Sequence, residues 1–116
     1  MYKIKIMNEF MHGAIWVCDE EGISINYELI DNDIELQELN KKTEELFDSY
    51  YEFDSHEQPV WFNEELEKKT SREMLDLIIK IKNRLSEIDD GSFIIEDTES
   101  ERLIKLTKWL NRDNNI

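Results

Sequence analysis

Asp54, His56 and Glu57 are the residues whose types and spacing come nearest to a chemical site in this chain. Carboxylates and an imidazole are groups that bind divalent metals. Ligands so close together in sequence need a special turn to converge, and neither a cysteine nor a second histidine lies nearby to complete the set. A small metal-dependent enzyme therefore stays an alternative, which stoichiometric zinc in the purified protein would reveal.

Other signatures of catalysis are missing from the sequence. His12 stands beside Gly13 and is interpreted as a loop residue, and Cys18 follows three large apolar residues, which is typical of a buried structural thiol. The acidic residues are too numerous for any pair to indicate acid–base catalysis. There is no Gly-rich phosphate loop, no G-x-S-x-G and no cysteine pair. We therefore expect no enzyme activity, no metal and no cofactor.

The net charge of the chain is concentrated in one segment. Residues 19–65 contain 16 of the 28 acidic residues but only two lysines, so this segment alone carries the whole formal charge of −14. The rest of the chain balances 12 acidic against 12 basic residues. A localised excess of acid produces a directional negative field that attracts basic molecules. It also repels phosphates, so we expect a basic protein partner and no direct binding of nucleic acid. The alternative is that the acids form an ordinary solvated face.

Aromatic residues are interleaved with these acids between residues 48 and 65. Tyr and Trp are frequent among the residues that dominate interface energies, whereas charges at the rim mainly raise the association rate. The segment therefore predicts a partner-binding surface at the end of a helix and in the connection after it. Its predicted residues, called here the predicted contact set, are Asp48, Tyr51, Glu52, Asp54, Glu57 and Trp61.

Two alternatives remain open for this surface. Trp61 and Phe62 could instead cap the core beneath the connection, and the acids could be solvated filler. The next candidate surface lies in residues 19–35, with the acids Asp19, Glu20, Glu21, Asp31 and Asp33.

The chain resembles the small immunity proteins of bacterial contact-dependent growth inhibition and related polymorphic toxin systems. The resemblance lies in its size, its acidity and two segments, Trp16-Val-Cys-Asp-Glu-Glu-Gly22 and Phe47-Asp-Ser-Tyr-Tyr-Glu-Phe-Asp54. The resemblance spans most of the chain. It implies a role, the neutralisation of a cognate toxin domain that is often a nuclease, and it transfers no site residue. The alternative is an acidic adaptor or a DNA mimic, such as a phage-encoded inhibitor of a nucleic-acid-binding protein.

Alternating apolar residues predict strands over residues 2–7, 14–18 and 23–29, the last two joined as a hairpin through Asp19-Glu-Glu-Gly22. A helical period follows from Asn32, with capping-box spacing to Glu35, and is expected to end between Tyr51 and Asp54. A second helix is predicted from Asn63 or Thr70 to Ile88. The apolar run Phe93-Ile-Ile95 predicts a central strand.

A third helix is predicted after Thr98, with Leu103, Leu106 and Leu110 on its apolar face and Trp109 beside them. This order predicts a single α+β domain over residues 1–116, a mainly antiparallel sheet of about four strands covered by three helices. The predicted core residues are Ile4, Ile6, Trp16, Phe93, Ile78, Ile81 and Leu106.

No stretch of the sequence has the apolar core of a signal peptide or the roughly 20 apolar residues of a membrane span. The single cysteine cannot form an internal disulfide, which fits a reducing compartment. We therefore expect a cytoplasmic protein without a membrane partner, whose oligomeric state the sequence leaves open.

Overall fold

The chain forms two sheets and a layer of helices. The structure, a computed structural model, describes the backbone of residues 1–114 and the side chains of residues 1–108. Within that range the elements are, in chain order, β1 (Tyr2–Ile6), β2 (Ile15–Cys18), α1 (Glu28–Asp31), α2 (Ile34–Asp48), β3 (Tyr51–Ser55), β4 (Gln58–Phe62), α3 (Glu64–Ile88), β5 (Phe93–Asp97) and α4 (Ser100–Asn114).

Strand β1 lies in the middle of a three-stranded sheet of order β2-β1-β5. It pairs antiparallel with β2, where Ile4 lies opposite Val17, and parallel with β5, where Tyr2 lies opposite Phe93. A parallel pair needs a crossover, which the helices and the β3–β4 hairpin supply between β1 and β5. The sheet is therefore mixed, and the predicted sheet of about four mainly antiparallel strands is wrong in that respect.

One hydrophobic core joins the inner face of this sheet to the helices, which confirms a single α+β domain. Ile4 and Ile6 of β1 are fully buried, as are Ile78 and Ile81 of α3, and Phe93 is 5% exposed. These five predicted core residues are confirmed. Leu106 is half-buried and packs against the same cluster. Full burial of one such side chain contributes about 1.5–3 kcal/mol relative to an exposed position.

Trp16 does not belong to this core, and its prediction as a core residue is wrong. Side chains of a strand alternate between the two faces, so Trp16 shares a face with its partner Lys5, opposite to the face of Ile15. The ring stacks on His12 at a centroid distance of 3.6 Å, and its Nε1–H donates to the backbone oxygen of Met7 at 2.8 Å.

The predicted third strand over residues 23–29 is also wrong. The chain makes one isolated bridge, Cys18 to Ser24, and a hydrogen bond from Ile25 N to Val17 O before it leaves the sheet. Asp31 then accepts a hydrogen bond from the backbone N–H of Tyr27 at 2.9 Å and stabilises the short helix α1. The local side-chain hydrogen bond of an aspartate thus prevails over an alternating apolar pattern.

Strand β5 lies at an edge, not at the centre of the sheet as its apolar run predicts. Ile94 is 50% exposed and Ile95 36% exposed. Asp97 at its end accepts hydrogen bonds from the backbone N–H groups of Glu99 and Ser100, at 2.9 and 3.0 Å, so α4 begins at Ser100. Of the predicted face of this helix, Leu103 is buried.

The helix starts differ slightly from the predicted capping boxes. Asp33, not Asn32, is the N-cap of α2, where its carboxylate accepts from Leu36 N at 2.9 Å. Helix α3 begins at Glu64 because Asn63 caps it, which confirms the earlier of its two predicted starts. Trp109 and Leu110 lie outside the described side chains. None of the described helices is both long and apolar enough to cross a membrane.

Candidate protein-binding surface

Helix α2 ends at Asp48, earlier than predicted, because the chain turns there into the β3–β4 hairpin. Tyr51 pairs with Phe62 and Ser55 with Gln58 across this two-stranded sheet. The turn residues His56 and Glu57 both have positive φ, 54° and 59°. Positive φ at both central residues is characteristic of the type I′ turn that joins tightly paired strands. The segment predicted as helix end and connection is therefore an ordered β-hairpin.

Aromatic packing fixes the base of the hairpin to the core. The ring of Phe62 lies 5.1 Å from that of Tyr51 and 5.9 Å from that of Tyr50, and Tyr51 lies 5.7 Å from Phe47. Tyr50 is 1% exposed. Phe62 therefore does pack on the core beneath the hairpin, as one of the alternatives from sequence proposed.

Further out, the same face of the hairpin is apolar but exposed. Phe53 and its cross-strand partner Val60 are 57% and 48% exposed, and Met11 in the loop between β1 and β2 is 71% exposed. Phe10 of this loop connects the two segments, since its ring lies 4.7 Å from Tyr51 and 5.9 Å from Phe53. Phe53 and Val60 are called here the apolar patch.

The β1–β2 loop is positioned against the hairpin by specific contacts. The backbone N–H of Met11 donates to Oδ1 of Asp48 at 2.8 Å. Asn40 of α2 donates to the backbone oxygen of His12 and accepts from Ile15 N. Gly13 has a φ of +91° and lies so close to Asn40 that a Cβ would be 2.5 Å from Oδ1. The exposure of Met11 is thus a consequence of an ordered loop.

The opposite face of the hairpin carries Glu52 and Trp61, which are direct cross-strand partners. Trp61 is half-buried, and its ring stacks on His56 at a centroid distance of 3.7 Å. Glu52 accepts a hydrogen bond from Asn63 Nδ2 at 3.0 Å. Trp61 therefore covers the hairpin and not the core, unlike its neighbour Phe62.

Asp54 and Glu57 lie near the turn and are exposed. With Gln58 and Pro59 they line a shallow hollow of about 370 Å³. Neither carboxylate makes a hydrogen bond or an ion pair to another residue in the part of the chain that the structure describes. Two negative charges at the outer end of the hairpin thus stand in water, available to a partner.

Five of the six residues of the predicted contact set lie on the hairpin, where they are divided between its faces, and Asp48 lies outside it. Tyr51 shares its face with the apolar patch, and Glu52 and Trp61 occupy the other. Asp48 lies at the end of α2, below Met11. The predicted contact set leaves out Phe53 and Val60, although both are exposed and lie inside the segment that the sequence selected. Burial and the proximity of Glu9, Glu67 and Asp48 raise the pKa of Tyr51, so its hydroxyl stays neutral.

The second candidate surface, in residues 19–35, uses most of its acids within the fold. Asp19 accepts from the backbone N–H of Glu21 and of Ile23, both at 2.9 Å. Asp33 caps α2 and binds Arg84 Nη2 at 2.7 Å. The bond from Arg84 lowers the pKa of Asp33. Asp31 closes α1, and Glu20 contacts the amino group of Met1. These acids shape loops and helix ends.

The candidate metal ligands Asp54, His56 and Glu57 are not gathered around a point. His56 faces Ser55 through Nδ1 at 3.0 Å, and its ring lies on Trp61. Among the residues described, no three or more His, Cys, Asp or Glu side chains are placed to hold a metal ion. Cys18 is buried, with 7% of its surface exposed.

No protein-family model, curated protein or solved structure matches this chain. The functional argument consequently depends on the surface itself.

Proposed function

We propose that this protein is an immunity protein, which binds a basic cognate toxin domain and neutralises it in the cytoplasm. The toxin domain is a nuclease in this proposal, since a nuclease presents a basic cleft where phosphates bind. The observation that carries the proposal is the apolar patch of Phe53 and Val60, an exposed cross-strand pair within the acidic segment.

Three features of the hairpin support a protein partner. Exposed apolar side chains grouped on one surface are typical of interaction sites, whereas singly scattered ones are common everywhere. Asp54 and Glu57 next to them supply the sign of charge that fits a basic surface. The aromatic packing beneath Tyr51 holds the hairpin in place before a partner arrives, which reduces the entropy lost on binding.

The test uses the large gene expected immediately upstream of this one. Its C-terminal toxin domain is expressed from an inducible promoter in a bacterial host, with and without the present protein. We expect growth arrest with the toxin domain alone, and normal growth together with a stable one-to-one complex when both are present. Persistent arrest in the presence of well-folded protein would contradict the proposal.

The Phe53→Ser/Val60→Ser double variant tests the surface, and Ile34→Ser is its matched control. Ile34 is 74% exposed at the other end of α2 and belongs to a different part of the surface. Ile34→Ser should protect as the unchanged protein does. The alternative, an acidic adaptor or DNA mimic, predicts a gene among phage genes and binding to a host nucleic-acid-binding protein in place of the toxin.

A further inference from the structure

A cleft of about 320 Å³ opens beside the base of the hairpin. Three aromatic rings form one side of it, those of Phe47, Tyr51 and Phe62. Its volume is at the lower end of the range for ligand pockets, about 300–1,000 Å³. The cleft is therefore large enough to admit one amino-acid side chain. Because Tyr51 also contacts Phe10, the cleft adjoins the loop that carries Met11.

The other side of the cleft is a charged triad. Arg102 of α4 lies between two carboxylates, with Nη1 2.9 Å from Glu67 Oε2 and Nη2 2.9 Å from Glu99 Oε2. Glu67 and Glu99 are only 6% and 7% exposed. Two acids against one base leave the triad with a net charge of −1. A negative charge held away from water acts strongly on a cation that enters.

One hydrogen-bond acceptor in the cleft is without a partner. Asn8 lines the cleft, and Oδ1 of Asn8 is buried without a hydrogen-bond partner among the described residues. The three hydrogen bonds from Arg102 all reach the Oε2 atoms of Glu67 and Glu99. A buried acceptor without a donor is costly. The cleft is thus suited to a ligand that donates hydrogen bonds and carries positive charge.

We infer that this cleft binds the guanidinium group of an arginine side chain from the basic partner. The inference rests on the proposed function, which supplies the partner, and it adds the chemistry of one anchoring contact. A guanidinium group offers five N–H donors and stacks on aromatic faces, so it matches both sides of the cleft. Three of the five N–H donors of Arg102 already bind Glu67 and Glu99, and the two carboxylates outweigh its single positive charge.

The test needs no toxin. N-acetyl-arginine amide is added to the isotope-labelled protein, and NMR follows the side-chain amide of Asn8 and the rings of Tyr51 and Phe62. We expect saturable shifts at these groups with a Kd on the order of 10 mM. N-acetyl-citrulline amide has nearly the same shape without the charge, and it should bind at least about tenfold more weakly. Equal binding of the two compounds, or the absence of saturable shifts at the cleft, would overturn the inference.

A matched pair of variants on α4 adds a second readout. Glu99→Gln removes a charge from the cleft and should weaken binding of the arginine compound about tenfold. Glu101→Gln removes a charge from an exposed position of the same helix and should leave binding unchanged. If Glu99→Gln fails to fold, the arginine and citrulline comparison on the unchanged protein decides. Arginine binding without toxin binding would refute the proposed function alone, whereas toxin binding that leaves the cleft signals unmoved would refute this inference alone.

Discussion

Phe53 and Val60 lie directly opposite each other across the β3–β4 hairpin, and about half of each side chain is exposed to water. Their neighbours one pair closer to the core, Tyr51 and Phe62, pack into an aromatic cluster on the same face. On this face of the hairpin, the side chains change from packed to exposed over two residues of each strand. A partner that covers Phe53 and Val60 would extend the core outward.

The Phe53→Ser/Val60→Ser double variant should weaken binding of the toxin domain by about 2 kcal/mol or more, because apolar anchors near the centre of an interface dominate its energy. The free energy of unfolding should change little, since both side chains are already exposed. Calorimetric titration and thermal unfolding measure the two quantities. Unchanged affinity in a folded double variant would place the binding surface elsewhere.

Neutralising four acids of the predicted contact set tests its charges. The changes are Asp48→Asn, Glu52→Gln, Asp54→Asn and Glu57→Gln. Each new amide keeps an oxygen that can still accept, so the bonds from Met11 N and Asn63 Nδ2 are preserved. We expect a loss on the order of 2 kcal/mol of partner affinity. Full protection by the fourfold variant would instead direct attention to residues 19–35.

The bond between Asp33 and Arg84 predicts a pH dependence of stability. Because Arg84 lowers the pKa of Asp33 in the folded state, the bond stabilises the fold above the unfolded-state pKa, about 3.9, and this contribution is lost as pH falls through the lower folded value. Asp33→Asn keeps a good N-cap but removes the charge. It should be less stable than the unchanged protein at pH 7, and the difference should shrink below about pH 4.

Two further variants separate the roles of Asp33. Asp33→Ala also removes the N-cap of α2 and should lower the free energy of unfolding by a further ~0.5–2 kcal/mol, the usual value for an N-cap. Glu38→Gln, at an exposed position of the same helix, is the control for a change of one charge. A stability difference for Asp33→Asn that stays constant as the pH falls from 7 to well below the unfolded-state pKa, about 3.9, would contradict the assignment.

The close contact between Gly13 and Asn40 predicts that a side chain at position 13 destabilises the β1–β2 loop. Gly13→Ala should lower the free energy of unfolding by about 1–3 kcal/mol, because the new Cβ would collide with Asn40 at a positive φ. Gly22 has a similar φ, +85°, with nothing within 4 Å of a Cβ. Gly22→Ala therefore measures the backbone cost alone. Chemical denaturation that shows equal losses for the two variants would refute the close contact.

The sequence predicted the fold class and most of the core because β1, α2 and α3 have regular apolar periods. It failed where polar side chains decide the backbone. Asp31 stabilises a helix over residues 28–31 where alternation predicts a strand. The hairpin escaped prediction because its turn residues, His56 and Glu57, are not the Asn-Gly or Asp-Gly pair that usually signals a type I′ turn.

For the candidate surface, the sequence selected a segment but did not show which of its side chains share a face. Acids mixed with aromatics selected residues 48–61, and the hairpin formed there brings them together. Which of these side chains share a face depends on the register of the two strands. The sequence predicted a helix that ends between Tyr51 and Asp54, and such a prediction contains no strand register. In the Glu67–Arg102–Glu99 triad, Arg102 is 35 residues from Glu67 in sequence and three residues from Glu99. No local sequence pattern indicates the contact between Arg102 and Glu67.

The rate of association between the purified protein and the toxin domain tests the central claim most directly. It is measured by stopped flow at about 20 mM and about 300 mM salt, where the Debye length differs severalfold. The account predicts fast association at low salt that slows steeply at high salt, and a shallower dependence for the Asp54→Asn/Glu57→Gln variant. An association rate that does not change with salt, or no association at all, would contradict it.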